Sequence, residues 1–193
     1  MDIITFIIII IILILVLCIL YLLMFERIKE LILKRIIKNK YRSLGKSSQI
    51  RLLYELYEAV YHFSKNKIGA LITIENNENL DSLRTDGIIL NSNISSSLLI
   101  AIFNKESPIH DGAVLIRDNK IYYAATFYKI TRKSVDNNLG SRHRAALGIS
   151  EQSDSITIVV SEENGSIRIV KSGVIHKVKI EDFRDELGKY LKG

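Results

Sequence analysis

The feature that most constrains this chain is an apolar run close to its start. Ile3 to Phe25 form 23 consecutive positions at which only Thr5 and Tyr21 carry polar groups. As an α-helix this run would be about 34 Å long, which is enough to cross a bilayer. A cleaved signal peptide is the alternative, but no cationic region precedes the run and no small-residue cleavage site follows it. The sequence therefore predicts an uncleaved transmembrane anchor over residues 1–25.

The distribution of charge predicts the orientation of this anchor. Residues 26–46 carry eight basic and two acidic side chains, whereas Asp2 is the charged residue before the run. The positive-inside rule then predicts a single-pass protein of the cell membrane with its N-terminus outside and its main part in the cytoplasm. Residues 47–193 carry 19 basic and 18 acidic groups, so they account for little of the formal charge of +6. The basic segment suits anionic lipid, and we expect no nucleic-acid partner.

The remaining pattern predicts one folded domain. Apolar residues recur at helical spacing through about residue 39, which indicates a basic amphipathic linker helix within residues 26–46. The single cysteine, Cys18, lies in the apolar run, which excludes an intramolecular disulfide. Residues 47–193 open with a helix and continue with short β-rich runs, so we expect an α/β domain whose mixed, largely antiparallel sheet is flanked by helices.

The predicted strands are Ile68–Ile74, Gly87–Leu90, Ala113–Arg117, Ile121–Phe127, Ile156–Val160, Ile167–Lys171 and Val174–Ile180. Further helices are predicted over Ser95–Phe103, Ser141–Gln152 and Ile180–Leu191. Asp118-Asn119-Lys120 is typical of a hairpin turn, and Asn164-Gly165 is typical of a type I′ turn.

The segment from Gly140 to Arg144 is the most informative local motif. Ser141 is a favourable N-cap for the predicted helix, which places Arg142, His143 and Arg144 in its first turn. Cations at that end each cost about 0.3–1 kcal/mol, so stability alone does not explain them. Free N–H groups, a hydroxyl and two guanidinium groups together suit a polyphosphate. A basic surface turn is the alternative.

Two carboxylate motifs also suggest chemistry. Asp111-Gly112 precedes the strand that starts at Ala113, and a carboxylate there suits a divalent cation or a sugar hydroxyl, although Asp-Gly is most often a plain turn. The adjacent His110 either binds the same metal or hydrogen-bonds within its loop. Ser161-Glu162-Glu163 ends another strand, where the carboxylates either bind a metal or an amine or flank a solvated hairpin.

In chain order these segments closely resemble the bacterial diadenylate cyclase domain family. The matching pieces are Gly69 to Ile72, Ser95 to Phe103 leading into Pro108 to Ala113, Gly140 to Arg144, and Val160 to Glu163. The resemblance extends over roughly residues 50–170, and the single anchor is similar to the short membrane-anchored members. The chain departs from the family pattern at Ser141, where threonine is usual, and at Lys129, near which an apolar residue is usual.

The resemblance implies a membrane-anchored nucleotidyltransferase that joins two ATP molecules into cyclic di-AMP, a second messenger, and releases two pyrophosphates at the interface of a face-to-face homodimer. It implies a divalent cation, Mg²⁺ or Mn²⁺, as cofactor. Carried onto this sequence, it assigns catalysis to Asp111, Arg142, His143 and Arg144, ATP binding to Gly112, Ala113, Tyr128, Lys129, Gly140, Ser141, Ser161 and Glu162, and the metal to His110, Asp111 and Glu163. Tyr128 is equally well interpreted as a core residue.

Three other functions remain in competition. A membrane-tethered nucleotide sensor would use the same pocket without turnover, but it has less need of Asp111. A structural anchor that binds protein would leave the basic turn as a surface patch. A metal-dependent phosphohydrolase usually has denser clusters of aspartate and histidine than this sequence offers.

Overall fold

The computed structural model describes residues 2–36, 40–133 and 139–192, which fall into two compact units, Met1–Lys38 and Asn39–Gly193. In the first unit, helix α1 runs without interruption over Ile3–Ile36. Its segment Ile7–Lys29 is long and apolar enough to cross a membrane, judged by length and composition. The predicted linker helix is therefore continuous with the anchor as far as Ile36, and its predicted end at residues 37–39 lies outside the described residues.

The second unit is built on an eight-stranded sheet with the strand order β2-β5-β4-β1-β6-β7-β8, and β3 also pairs with β5. The pair β1–β4 is parallel, and the other described pairs are antiparallel, which confirms the predicted mixed sheet. The strands are β1 (Ala70–Ile74), β2 (Arg84–Thr85), β3 (Ile88–Asn93), β4 (Ala113–Arg117), β5 (Lys120–Tyr128), β6 (Ile156–Val160), β7 (Ile167–Lys171) and β8 (Val174–Val178). The helices are α2 (Lys40–Ser43), α3 (Lys46–Asn66), α4 (Ser96–Phe103), α5 (Ser141–Gln152) and α6 (Phe183–Lys192).

Both faces of the sheet are covered, which explains why its central strands are continuous apolar runs. Every residue of β1 and β6 is buried. On one face, alternate strand residues pack with the buried sides of α3, α4 and α6, and on the other face Leu71, Leu115 and Val159 pack with Ala146 and Leu147 of α5. The sheet is thus a rigid centre from which loops project at its two edges.

The two predicted turns have different outcomes. The hairpin predicted at Asp118-Asn119-Lys120 is present, but Lys120 belongs to β5 and pairs with Arg117, so the loop is Asp118-Asn119, with positive φ at both residues. The type I′ prediction at Asn164-Gly165 is wrong. Val160 pairs with Ile167 across a longer loop in which Gly165 has φ +71° and donates its N–H to the Ser161 carbonyl. A tertiary hydrogen bond holds this longer loop, because the Ser64 hydroxyl on α3 donates to the Gly165 carbonyl at 2.7 Å.

A buried ionic cluster fastens α2 to the end of β1. The Glu75 carboxylate is fully buried, and Arg117 donates to it from Nε at 3.0 Å and from Nη2 at 2.7 Å. Lys40 Nζ lies 3.0 Å from Glu75 Oε1, and the Leu80 N–H donates to Oε2 at 3.1 Å. Each carboxylate oxygen is therefore well supplied with donors, which a buried charge requires.

Replacing Glu75 with glutamine should lower the stability of the domain by about 3 kcal/mol, because Arg117 and Lys40 would lose a buried counter-charge. For a chain of this size that corresponds to a drop in Tm of roughly 10 °C. The control is Asp118→Asn, whose 66% exposed carboxylate lies 3.7 Å from Lys40; it should change the stability by less than about 1 kcal/mol. Thermal unfolding followed by circular dichroism measures both, and equal losses would contradict the account.

Candidate active site

The strand directions bring the sequence motifs to one edge of the sheet, which we call the motif edge. Because β1 and β4 are parallel, the segments that precede them, Gly69 and Asp111-Gly112, lie at the same edge. Because β6 is antiparallel to β1, with Ala70 opposite Val160, the segment Ser161–Glu163 leaves β6 at that edge as well. The start of β4 and the end of β6 are separated by β1 alone, a distance of roughly 10 Å. Segments far apart in sequence thus share one surface.

The first turn of α5 borders a cleft on the motif edge. Residues 140–143 line this small, open cleft together with residues 160–163. The N-cap of the helix is Gly140 and not Ser141 as predicted, and none of the described side chains caps it by a hydrogen bond. Ser141 is instead the first helical residue, and it is exposed. The N–H groups of His143 and Arg144 donate to the Gly140 carbonyl. Ser141 and Arg142 therefore carry the N–H groups of the first turn that favour an anion, as expected from the sequence.

Arg142 reaches across the cleft to the opposite wall. Its Nη1 donates to Glu162 Oε2 at 2.9 Å. A Cβ at position 69 would lie 2.6 Å from that Nη1, so Gly69 provides the space through which the guanidinium passes. Its Nε is buried and makes no hydrogen bond within the part of the chain that the structure describes. A buried donor of this kind is suited to an oxygen atom of a ligand.

Arg144 does not join Arg142 in the cleft, contrary to the expectation that two guanidinium groups converge there. Its Nε donates to the Leu139 carbonyl at 3.2 Å, and its own carbonyl accepts the Thr131 N–H at 3.0 Å. The reason is geometric, since residues two positions apart on a helix point in nearly opposite directions. In the structure Arg144 instead contacts Leu139 and Thr131.

His143 also differs from its expected role as a cation of the first turn. Its side chain is buried, and its Nε2 lies 2.6 Å from Arg168 Nη1. A guanidinium only donates, so Nε2 accepts and the ring proton belongs to Nδ1. Burial, followed by the charges of Arg168 and Arg142, lowers the pKa of His143 to about 4. The imidazole is therefore neutral at pH 7 and contributes a hydrogen-bonding group instead of a charge.

Asp111 is held at the motif edge by a bulge in β5. Gly112 has φ +94°, and a Cβ there would lie 2.7 Å from the Thr126 carbonyl oxygen. The register between β4 and β5 shifts at this point, where Ala125 has a positive φ. The Asp111 carboxylate is exposed and accepts the Gly112 N–H at 2.9 Å. The bulge and the glycine together leave this carboxylate facing solvent at the start of β4.

The expected metal ligands fit a cation individually but are not assembled into a cluster. His110 donates from Nδ1 to the Ser107 carbonyl at 2.6 Å, which leaves Nε2 with its lone pair, the usual arrangement of a metal-binding histidine. Carboxylates and an imidazole suit Mn²⁺ or Mg²⁺. Glu163 is exposed, and its N–H donates to Ser161 Oγ at 3.3 Å. Among the described residues, however, no three histidine, cysteine, aspartate or glutamate side chains form a group that would hold a metal.

Of the residues expected to contact the adenine or the ribose, some are buried in the core and others are exposed. Tyr128 is 8% exposed and belongs to the core beside α5, and burial raises the pKa of its phenol, so its interpretation as a core residue is favoured. Ala113 is fully buried, so its side chain lies in the core. Lys129 is exposed. Sequence reasoning missed Phe127 and Ile130, which expose apolar side chains where β5 ends at the motif edge.

Comparison with known proteins shows the family to which the chain belongs. The family model described as "DAC: DisA bacterial checkpoint controller nucleotide-binding" matches residues 57–175. The chain belongs to this family. The match includes every motif of the motif edge, from Gly69 to Glu163, and it begins after α1 and α2.

Relatives of the DAC domain support the same assignment. A protein named diadenylate cyclase from Mycoplasma pneumoniae is 37% identical over 174 residues, which cover 89% of this chain and 86% of that relative. Cyclic di-AMP synthase CdaA from Bacillus subtilis is 40% identical over 141 residues, which cover 72% of this chain and 52% of the relative. This chain thus spans about half the length of the Bacillus subtilis protein and most of the Mycoplasma protein.

Solved structures share the fold. DacA from Staphylococcus aureus, crystallised as a double mutant, matches with a TM-score of 0.73 and 37% identity, covering 77% of this chain and 100% of that one. A hypothetical membrane spanning protein from Bacillus cereus matches with a TM-score of 0.64 and 42% identity, covering 65% of this chain and 62% of that one. The predicted fold class is therefore confirmed.

Replacing Gly112 with alanine should destabilise the DAC domain by about 3 kcal/mol, because the new Cβ meets the Thr126 carbonyl and φ +94° is strained for any side chain. The matched control is Gly45→Ala, at a position with open space around it and no positive φ; it should cost less than about 1 kcal/mol. Urea unfolding measures both variants. A Gly112→Ala protein as stable as the control would show that the bulge does not constrain this loop.

The lowered pKa of His143 predicts a pH dependence of stability. The unfolded chain binds a proton at this imidazole near pH 6.5, whereas the folded chain binds it only near pH 4. The stabilisation is complete above pH 6.5 and is lost as the pH falls through that interval, because the unfolded state then binds more protons. Between pH 7 and 4.5 the wild type should lose about 2 kcal/mol more than His143→Gln. Parallel losses in the two proteins would refute a neutral buried imidazole.

Proposed function

We propose that this protein is a diadenylate cyclase, which joins two ATP molecules into cyclic di-3′,5′-AMP and releases two pyrophosphates. Membership of the DAC family and the names of its relatives support this activity. The observation that carries the proposal is the motif edge. There the N-terminus of α5 and the buried Arg142 Nε, neither of which has a side-chain partner among the described residues, share one edge with the exposed Asp111 carboxylate. The reaction requires that the triphosphate and the ribose of ATP are both bound, and the helix N-terminus with Arg142 suits the former whereas Asp111 suits the latter.

The cleft beside α5 is the proposed triphosphate site. The first-turn N–H groups and the Arg142 guanidinium would donate to phosphate oxygens. Arg142 Nε is available for this, whereas Nη1 is already bonded to Glu162. The neutral His143 would add a hydrogen bond from Nδ1 without a further charge. Ser161, which is buried, orders the turn that carries Glu162 and Glu163.

Asp111 is the proposed catalytic carboxylate. It would orient the ribose 3′-hydroxyl of its own ATP and accept the hydroxyl proton as the oxygen attacks the α-phosphorus of the other ATP. The new bond joins O3′ to the α-phosphorus, the bond from that phosphorus to the pyrophosphate breaks, and pyrophosphate leaves. Asp111, His110 Nε2 and Glu163 are the candidate ligands of a divalent cation, Mg²⁺ or Mn²⁺, which would neutralise phosphate charge. Because these residues form no cluster by themselves in the described part of the chain, they would hold the cation together with the bound nucleotide.

The reaction requires a second copy of the chain. One motif edge provides one phosphate cleft and one Asp111, whereas two hydroxyl groups must attack two phosphorus atoms. Two copies placed face to face would bring each ribose to the α-phosphate held by the other. The exposure of Asp111 and the openness of the cleft between residues 140–143 and 160–163 agree with such an arrangement.

We also propose that α1 anchors the enzyme as a single span, with its N-terminus outside and the DAC domain in the cytoplasm. Its apolar segment and the basic residues that follow support this orientation. ATP, the proposed substrate, is a cytoplasmic metabolite. Confinement to a membrane would also raise the frequency with which two DAC domains meet.

Replacing Asp111 with asparagine should reduce cyclic di-AMP synthesis at least about 100-fold, because the carboxylate would no longer accept the hydroxyl proton. The affinity for ATP should change less than about threefold, since the phosphate cleft is intact. The matched control is Asp118→Asn, the same change in the exposed turn at the opposite edge of the sheet, which should keep full activity.

The assay uses the full-length protein in liposomes with ATP and either Mg²⁺ or Mn²⁺, and mass spectrometry quantifies cyclic di-AMP and pyrophosphate. Product from the wild type and the control but not from Asp111→Asn supports the proposal. Wild-type turnover in Asp111→Asn would assign catalysis to another residue. ATP binding without product from the wild type would instead favour the nucleotide sensor.

A further inference from the structure

Arg168, on β7, lies outside every motif identified in the sequence, yet it contacts His143, which lines the cleft. Its Nη1 lies 2.6 Å from His143 Nε2 and donates to Ser166 Oγ at 2.9 Å. His143 belongs to the first turn of α5, which forms one wall of the cleft, and Ser166 belongs to the loop that forms the other wall. One guanidinium group therefore joins the two walls.

The bond to Ser166 extends this connection toward the cleft. The Ser166 carbonyl accepts the Ser161 N–H at 3.0 Å, and the Ser161 side chain in turn accepts the Glu163 N–H. The loop that carries Glu162 and Glu163 is therefore closed at its base by the residue to which Arg168 is bonded. On the opposite wall, Arg142 precedes the histidine that Arg168 contacts. Arg168 therefore contacts His143, the neighbour of Arg142, and Ser166, which closes the loop that carries Glu162. The positions of both partners of the Arg142–Glu162 ion pair thus depend on Arg168.

The contact also determines the chemical state of His143. Since a guanidinium has no acceptor, its bond to Nε2 holds the imidazole in the tautomer with the proton on Nδ1. The charged groups that act on the imidazole are both cations, Arg142 on its own helix and Arg168 on β7, and both oppose its protonation. Arg168 thus selects one tautomer and supports the neutral form.

We propose that Arg168 is a positioning residue of the active site, which fixes His143 in its Nδ1-protonated tautomer and aligns the two walls of the phosphate cleft. Arg168 acts through His143 and Ser166 and need not touch the nucleotide itself. The expected change in the KM for ATP rests on the proposed function, because the alignment of the cleft walls affects KM only if the cleft binds the triphosphate. The expected change in the tautomer of His143 does not depend on any activity.

The test uses Arg168→Gln with Lys177→Gln as the matched control. Lys177 pairs with Arg168 across β7 and β8, so it lies on the same face of the sheet and its replacement removes one positive charge from the same region. Arg168→Lys is a third variant that keeps a donor and a charge but loses the planar fork. All are made in the full-length chain, embedded in lipid nanodiscs and labelled with ¹⁵N at the four histidines.

Two-bond ¹H–¹⁵N spectra report the tautomer of His143, which is assigned with a His143→Gln sample. The wild type and Lys177→Gln should show the proton on Nδ1, whereas Arg168→Gln should show a mixture with the proton on Nε2. In the cyclase assay the KM for ATP should rise about tenfold in Arg168→Gln, with kcat changed less than about threefold. Arg168→Lys should keep the Nδ1 tautomer and recover part of the loss in KM.

A His143 that keeps its tautomer in Arg168→Gln, together with an unchanged KM, would overturn the proposal and leave Arg168 as a structural residue that affects only the melting temperature. Should Arg168→Gln fail to fold, Arg168→Lys carries the test, and a KM for ATP equal to that of the wild type in Arg168→Lys would overturn the proposal. If the wild type makes no cyclic di-AMP, the proposed function fails, and the tautomer together with the ATP affinity decides the role of Arg168.

Discussion

The site depends on the parallel pair β1–β4, whereas the other strand pairs among the described residues are antiparallel. Since β1 and β4 run in the same direction, the loop before each of them opens at the same edge, and the antiparallel neighbours β5 and β6 deliver their C-terminal ends to that edge. Reversal of β4 would move Asp111 to the opposite edge, beside Glu75. Every residue of β1 and β6 is buried, so the centre of the sheet holds the distances between the loops with little freedom.

The cleft offers a ligand a few hydrogen-bond donors in fixed directions and not a general excess of positive charge. Arg142 is paired with Glu162 and keeps one unsatisfied donor, Arg144 is directed away, and His143 is kept neutral by burial and by Arg168. A ligand would therefore meet directed donors: the helix N–H groups and individual nitrogen atoms. Directed donors fix the orientation of a phosphate chain, which an in-line displacement requires.

The sequence predicted those features that depend on local pattern or on the family resemblance. Ala113–Arg117 and Ile156–Val160 match β4 and β6, because buried strands are nearly continuous apolar runs. Ile167–Lys171 matches β7, because its β-branched residues favour a strand. It did not predict β2, which has two residues and exists through its pairing with β5. The separation of Arg142 from Arg144 follows from helical rotation once the helix start at Ser141 is known. Arg168 gave no local signal, since its role arises where β7 passes the first turn of α5.

The most direct test of the central claim is a crystal structure of the chain with a non-reactive ATP analogue and Mn²⁺. The account predicts the triphosphate at the first turn of α5, within hydrogen-bonding distance of Arg142 Nε, and the ribose 3′-hydroxyl beside the Asp111 carboxylate of the same chain. A nucleotide bound at the opposite edge of the sheet, or one whose ribose lies away from Asp111, would contradict the claim that the motif edge is the active site.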